Sequence, residues 1–225
     1  MEFRWGFSFF FGLLAGCTKT SSEGVATSAV WAEFSILQNP TTIDARAEFR
    51  ATEGGTYVEL ASGDRISCNG VALGKVQLGN AIWYSESVAG VFAGGSYTFE
   101  LTRAANNETS TAAVAPPLAL GITTPSAMSL TRLGQPLTVT WSPATNSDTV
   151  GIRTSGACID GLDLSDIADD GTETIGGATG ITGTGTSCSG TLDVSRYHRE
   201  PLGAPFKGGT RFSSYTSEEA LLFGP

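Results

Sequence analysis

Ile43-Asp44-Ala45-Arg46-Ala47-Glu48-Phe49-Arg50 alternates apolar and polar residues at every position. Because successive side chains of a β-strand point to opposite faces of its sheet, this pattern is typical of a strand with one buried face and one wet face. Val30–Ile36 shows a similar alternation. Two dipeptides that follow, Gly54-Gly55 and Asn69-Gly70, are a turn signal and a hairpin signal. This region therefore predicts antiparallel β-structure.

The rest of the chain also predicts β-strands. The sequence contains 29 glycines and only 16% charged residues, and its apolar runs are short and separated by turn residues, as in β-sandwiches. No stretch shows the spacing of three and four that indicates an amphipathic helix. Further strands are predicted at 57–60, 65–68, 82–84, 97–102, 137–141, 149–153, 172–175, 191–195 and 220–223.

The strands fall into two groups. Pro116-Pro117 is the best candidate boundary, because two prolines remove two backbone donors where a sheet would otherwise continue. We therefore predict one β-sandwich domain over 29–115 and a second over 116–225. Phe99–Arg103 and Leu192–Arg196 also match in residue type at all five positions, which indicates either two copies of one architecture or a chance similarity between alternating strands.

The sequence of the N-terminus predicts that the protein is exported. Trp5–Ala15 is an apolar run of signal-peptide length, well short of the roughly 20 residues of a membrane-spanning helix. It ends in Leu14-Ala15-Gly16-Cys17, which resembles the lipobox of bacterial lipoproteins. The resemblance implies a signal peptide over 1–16, thioether-linked diacylglycerol and further acyl chains such as palmitate on Cys17, and a tether over 17–28. An ordinary secretory peptide, with Cys17 as a bystander, is the alternative.

The lipobox resemblance also implies a location. Thr18 follows the cysteine where an aspartate would signal retention in the inner membrane, so the expected place is the bacterial cell envelope, at the outer membrane or cell surface. Two or three acyl chains hold a protein on a bilayer stably where one does not. The membrane, reached through this anchor, is the first expected partner.

The C-terminal half resembles a second family. Leu137–Trp141 with the following Ser-Pro-Ala, then Ala168–Ile175, the strand Leu192–Arg196 and Gly208-Gly209 are similar to Ig-like β-sandwich domains of uncharacterised bacterial surface lipoproteins. The resemblance covers about half of the chain and implies a stalk-like or recognition domain. With the strand pattern, it gives the predicted fold class: all-β, with two tandem Ig-like β-sandwich domains.

Charge excludes one class of partner. The formal net charge is -9, and removing residues 1–16 leaves it unchanged, because Glu2 and Arg4 cancel. No cluster of Lys and Arg exists that could follow a phosphate backbone, so the chain is not expected to bind nucleic acid. The acidic surface is typical of a soluble exported body.

Three cysteines follow Cys17. Disulfides persist outside the cytoplasm, and we predict that Cys158 pairs with Cys188, because the two flank one continuous segment of the C-terminal half. Cys68 is expected to be a small buried residue, since no histidine or basic residue neighbours it. Pairing of Cys68 with one of the other two stays open, because connectivity cannot be read from sequence.

The densest group of carboxylates is a weak candidate for a calcium site. Calcium takes six to eight oxygen ligands, but the spacing does not match an EF-hand loop. Turns and solvated loop residues are the favoured interpretation, and no metal or other cofactor is predicted. The group consists of Asp160, Asp163, Asp166, Asp169 and Asp170.

No catalytic motif is present in the sequence. His198 is the only histidine, and a Ser-His-Asp triad would need it as the base, yet no Gly-x-Ser-x-Gly elbow occurs. Gly180–Gly185 lacks the lysine of a phosphate-binding loop. We therefore predict a protein that is not an enzyme; hydrolase activity dependent on His198 is the least favoured hypothesis.

The functional prediction is a membrane-anchored envelope lipoprotein with a structural, adhesive or protein-interaction role. The alternative is a glycan- or calcium-binding module on the cell surface, which exposed aromatic residues along one sheet face would favour. Aromatic rings in sandwiches are mostly core residues, but they also stack on sugars. The candidate stacking residues are Trp31, Trp83, Tyr57, Tyr84 and Tyr97.

Overall fold

A computed structural model describes residues 19–90, 95–176 and 181–225. Its strands, numbered β1 to β18 in chain order, are Thr20–Ser21, Trp31–Gln38, Ile43–Arg50, Val58–Glu59, Arg65–Cys68, Val71–Ala72, Gly74–Leu78, Ala81–Ser87, Tyr97–Arg103, Glu108–Val114, Gly121–Thr124, Leu130–Arg132, Leu137–Ser142, Thr149–Gly156, Asp163–Ala168, Thr172–Ile175, Cys188–Pro201 and Gly208–Gly224. Apart from strands, the described residues form one 3-10 turn, Thr27–Ala29. The predicted all-β, Ig-like sandwich class is confirmed.

One large sheet runs through both halves of the chain. Its strand order is β15-β14-β17-β18-β2-β3-β8-β7, and β12 also pairs with β18. β17 and β18 form a long antiparallel hairpin, paired from Cys188 opposite Phe223 to Pro201 opposite Thr210. At about 3.3 Å per residue, 17 residues of β18 span roughly 55 Å. This hairpin is the longest element that crosses the molecule.

Two smaller sheets pack on the large sheet and enclose two hydrophobic cores. The sheet β10-β9-β5-β6 covers the N-terminal core, and the sheet β11-β13-β16 covers the C-terminal core. Aromatic rings dominate the first: Phe34 lies against Phe49, Phe99 and Phe206 with ring centroids 4.8–6.0 Å apart. The second core is built around Val139, Trp141, Ile152, Leu192, Val194, Leu221 and Phe223.

The hairpin belongs to both cores. The open end of the hairpin contributes Leu192 and Phe223 to the C-terminal core. Leu202 and Phe206, at the turn of the hairpin, lie in the N-terminal core. The first half of β18 pairs in parallel with β2, from Gly208 beside Trp31 onward. Residues beyond 116 thus complete the first sandwich, and the predicted domain division at 116 remains a prediction.

The two halves share one strand order. β10-β9-β5-β6 in the first half corresponds to β18-β17-β14-β15 in the second, and the two similar five-residue stretches lie in the corresponding strands β9 and β17. Each stretch ends in a buried arginine with a carboxylate partner: Arg103 to Asp64 at 2.9 Å and Arg196 to Asp169 at 2.6 Å. This correspondence favours two copies of one architecture over a chance similarity.

The segment expected to be a flexible tether is packed from its first described residue. Thr20–Ser21 pairs in parallel with Val58–Glu59, and the Oγ of Ser22, which is buried, donates to Asp64 Oδ2 at 2.7 Å. These backbone and side-chain bonds fix the segment, because a buried polar group needs a partner. In the part of the chain that the structure describes, no helix has the length and apolar character of a membrane span.

Candidate functional site

The outer face of the large sheet is the part of the fold that presents aromatic rings to solvent. On β2, Ala32, Phe34 and Ile36 point into the core, so the residues between them point outward. The pairings then place Trp31 and Trp83 on that outer face together with Tyr197 and Phe212, all partly exposed. The face continues from one half of the molecule to the other.

Each of these rings is held in place by its neighbours. Trp31 lies across Gly208, where an added Cβ would come within 2.6 Å of the indole. Trp83 lies under the guanidinium of Arg46, 4.6 Å from the ring centroid. Glycine is required beneath Trp31 because any side chain would displace the ring. These contacts restrict the two rings, which lowers the entropy that a ligand would have to remove on binding.

A groove of about 570 Å³ opens at one end of this face. It lies where β14, β15, β17 and β18 come together, and its size is within the range of small-molecule sites. The groove is lined by Ser147, Asp148, Thr149, Ser165, Asp166, Tyr197, His198, Arg199 and Phe212.

Two aromatic rings form the floor of the groove. Tyr197 and Phe212 have ring centroids 5.9 Å apart and planes inclined by 27°. Tyr197 lies across Gly151, whose added Cβ would be 2.9 Å from the ring. The guanidinium of Arg199 lies 5.5 Å from the centroid of Phe212. The hydroxyl of Tyr197 has no hydrogen bond to any residue in the described ranges, so it is free to bind a ligand.

A histidine–carboxylate pair also borders the groove. Nδ1 of His198 lies 2.8 Å from Oδ1 of Asp148, and its Nε2 lies 3.5 Å from Oε1 of Glu200. The hydrogen bond to Asp148 is the main reason that the pKa of His198 is raised above its ordinary value, against the opposing effect of burial. Protonated His198 is thus stabilised beside two carboxylates.

A β-bulge borders the groove as well. Between Val150 and Ile152 the register with β15 shifts by one residue, so that Ser165 and Asp166 both lie opposite Gly151. Asp166 adopts a φ of 57°, which aspartate tolerates better than most residues but which still costs free energy. The bulge interrupts the ladder and brings Ser165 and Asp166 to the groove.

The predicted acidic group does not converge on one point. Asp169 is fully buried: it pairs with Arg196 and accepts hydrogen bonds from Trp141 Nε1 at 2.7 Å and from Thr145. Burial pushes the pKa of Asp169 upward, but the bond from Arg196 and these hydrogen bonds outweigh it, so its pKa is lowered. Arg196 also donates to the carbonyl oxygens of Leu118 and Pro143. Asp169 is therefore a structural anion.

The remaining members of the group are spread over separate elements. Asp160 accepts a hydrogen bond from Thr182, Asp163 lies opposite Arg153 in the ladder between β14 and β15, and Asp170 accepts from the backbone of Thr172. Among the residues 19–90, 95–176 and 181–225, no three His, Cys, Asp or Glu side chains lie close enough to hold a metal ion. The weak calcium hypothesis has no geometric support at these positions.

Among the described residues, the cysteines form one disulfide and leave one free thiol. Cys158 and Cys188 form the predicted disulfide, with an S–S distance of 2.06 Å. Cys68 is a free, fully buried thiol, and burial raises its pKa to about 12, so pairing with Cys158 or Cys188 is not observed. Cys17, the predicted lipid attachment site, lies outside the described residues.

The predicted aromatic set divides between core and surface. Tyr84 and Tyr97 are buried in the N-terminal core, where the hydroxyl of Tyr84 accepts a bond from the backbone of Leu60; the expectation that they might stack on a sugar is wrong. Trp31, Trp83 and Tyr57 are partly exposed, and Tyr57 lies under Arg50, 4.5 Å away.

Sequence reasoning missed the two rings of the groove floor. Alternation along β17, with Leu192 and Val194 buried, places Tyr197 and Arg199 on the outer face. That signal was available, but Phe212 follows a glycine pair that reads as a turn. No sequence pattern connects Tyr197 with Phe212, because only the pairing of β17 with β18 brings them together.

Comparison with known proteins finds no match to a family model and no match among curated proteins. Solved structures with a similar arrangement include the fibronectin(III)-like modules of Clostridium thermocellum CbhA, at 9% identity and a TM-score of 0.27, covering 87% of this chain and 93% of that one. Another is the Yersinia pseudotuberculosis adhesin InvE, at 14% identity and a TM-score of 0.23, covering 85% of this chain and 59% of that one.

A third similar structure is the Bacteroides ovatus mixed-linkage glucan utilization locus protein SGBP-B, in complex with a mixed-linkage heptasaccharide. It shows 10% identity and a TM-score of 0.25, covering 82% of this chain and 53% of that one. The chain thus spans between half and two thirds of the adhesin and of the glucan-locus protein. At these identities and TM-scores, the likeness bears on neither ligand nor activity.

Proposed function

We propose that this protein is a non-catalytic interaction module, anchored at a bacterial envelope through lipid on Cys17. The observation that carries the proposal is the shared large sheet, whose outer face presents held aromatic rings across both halves of the chain. A rigid, partly exposed aromatic surface is typical of binding sites, since its side chains lose little freedom when a partner binds. The same hairpin in both cores opposes bending between the two sandwiches.

The anchor is supported by the motif Leu14-Ala15-Gly16-Cys17 after an apolar run. Lys19 is ion-paired with Glu59 at 2.9 Å, and the backbone pairing of Thr20–Ser21 with β4 follows directly. Two extended residues span at most about 7 Å. A lipid on Cys17 would therefore hold the N-terminal sandwich close to the membrane surface, with no long tether between them.

Fractionation of cells that produce the full chain tests the anchor. The wild-type protein should sediment with membranes and partition into the detergent phase of Triton X-114, whereas a Cys17→Ser variant should not, because it offers no thiol for acylation. Cys68→Ser is the matched control: Cys68 is buried in the core, so this variant should fractionate as the wild type does. Equal partition of the wild type and Cys17→Ser would overturn the proposed anchor.

A second candidate function is glycan binding, and the groove at Tyr197 and Phe212 is the observation that favours it. Sugar rings present an apolar face of C–H groups, which stacks on aromatic rings, and a rim of hydroxyls, which needs hydrogen-bond partners. The groove offers both kinds of contact. In this form the module would recognise a glycan at the cell surface.

A further inference from the structure

We propose that the groove over Tyr197 and Phe212 is a binding site for a neutral saccharide. This inference rests on the proposed binding role but not on the lipid anchor. The floor supplies two nearly parallel rings, 5.9 Å apart, on which the apolar face of a pyranose can stack. Tyr197 is held by Gly151 beneath it, so the floor needs no rearrangement on binding.

The walls supply partners for hydroxyl groups at two levels. Ser165 and Asp166 lie on one side, where the bulge in β15 brings both opposite Gly151. The hydroxyl of Tyr197 lies at the floor. Carboxylate and hydroxyl oxygens accept hydrogen bonds from sugar hydroxyls, and a hydroxyl can also donate. The strained φ of Asp166 is of the kind that clusters at ligand-binding positions.

The charges favour a neutral ligand. Asp148 is paired with His198, and Glu200, beside the groove, is paired with Arg211 at 2.9 Å, whereas Asp166 has no ion pair among the described residues. A phosphate or a uronate would meet the unpaired carboxylate of Asp166. A metal ion has no cluster of three ligating side chains among the residues that the structure describes. An apolar chain would bury the polar rim without satisfying it.

Affinity electrophoresis of the full-length protein, extracted in mild detergent, tests the site. Native gels contain soluble mixed-linkage β-glucan, xylan, galactomannan or dextran as neutral probes, and polygalacturonate as the acidic probe. We expect at least one neutral polysaccharide to retard the protein and polygalacturonate not to. The inference is overturned if none of the four neutral polymers retards the wild type, or if only polygalacturonate does.

Variants locate the binding to the groove. Phe212→Ala should weaken retardation by at least ~10-fold, since one stacking ring is lost, while Leu78→Ala should leave it unchanged. Leu78 is the control because it is an apolar side chain, 75% exposed, that does not line the groove. Equal loss in both variants would show that the groove is not the binding site.

A third variant keeps the test decisive if Phe212→Ala does not fold. Ser147 is exposed at the groove rim, so Ser147→Trp should fold normally and fill the groove, abolishing retardation; unchanged retardation would refute the site. Cys17→Ser should bind the polysaccharide as the wild type does. If only the proposed anchor is wrong, the protein still binds the polysaccharide. If only the proposed groove is wrong, the protein still associates with membranes.

Discussion

Phe206 provides the sharpest test that one hairpin serves both cores. It lies at the turn between β17 and β18, far beyond the predicted boundary at Pro116-Pro117, yet it is 4% exposed and packs in the N-terminal core. Its ring lies 5.4 Å from that of Phe34, at 69°. Phe206→Ala should therefore destabilise a core whose other members lie mostly before residue 116.

The expected decrease in the free energy of unfolding of Phe206→Ala is large. Truncation of a buried phenylalanine to alanine typically lowers the free energy of unfolding by about 3–5 kcal/mol, through lost burial and the cavity left behind. For a chain of this size, each kcal/mol shifts the melting temperature by about 2–4 °C, so a decrease of roughly 6–20 °C is expected. Since the large sheet is continuous, the C-terminal core should lose stability together with the N-terminal one.

Tryptophan fluorescence during urea unfolding separates the two cores. With Trp31→Phe and Trp83→Phe, Trp141 becomes the tryptophan that reports from the described residues, and it lies in the C-terminal core. In this background Phe206→Ala should lower the unfolding midpoint seen by Trp141. The control is Leu130→Ala, since Leu130 is 57% exposed and should change stability by less than about 0.5 kcal/mol. A Trp141 transition that does not move would refute the shared hairpin.

Three further outcomes are expected. Arg196→Met should lower the free energy of unfolding by about 3–5 kcal/mol in urea, because it leaves the Asp169 carboxylate buried without its cation, and adding Asp169→Leu should restore most of the loss. The pKa of His198 is raised above its ordinary value of 6.5, mainly by the hydrogen bond to Asp148, so their pairing stabilises the fold fully below pH 6.5 and is lost as pH rises through the raised pKa. The difference in the free energy of unfolding between wild type and His198→Gln should therefore shrink as pH rises through that range. Cys68, buried and with its pKa raised to about 12, should react with Ellman's reagent only after denaturation, and reaction in the native protein would contradict its burial.

Strands whose alternation is strong were predictable from sequence. Ile43–Arg50 forms a strand with those bounds, and the strand over 172–175 is also as expected. The period of two in such segments is set by burial of one face, so the pattern and the structure share one cause. The pairing of Cys158 with Cys188 was predictable because the two flank one continuous segment of the C-terminal half.

Strands without alternation were not predictable. The sequence predicts solvated loop residues at Asp163 and Asp166, but both lie in the strand Asp163–Ala168. A bulge in this strand breaks the period of two on which a strand prediction depends. The full length of β17 and β18 was also missed, since Gly208-Gly209 reads as a turn. Gly209 is required there by close packing: an added Cβ would lie 1.7 Å from the carbonyl oxygen of Ala32.

The site was less predictable than the fold. Tyr197 and Phe212 are adjacent only through the register of the hairpin, and sequence alone does not give that register. Asp169 was assigned to a turn, whereas its carboxylate is buried with Arg196 and Trp141. Buried ion pairs of this kind depend on tertiary contacts between distant segments. A prediction from neighbouring residues alone therefore treats their charged side chains as exposed to solvent.

Lipid attachment at Cys17 is decided by the mass of the N-terminal peptide of protein purified from membranes. We expect a mature chain that begins at Cys17, with a diacylglyceryl group on its sulfur and further acyl chains. A chain that begins elsewhere, or an unmodified Cys17 on protein recovered from the culture medium, would contradict it.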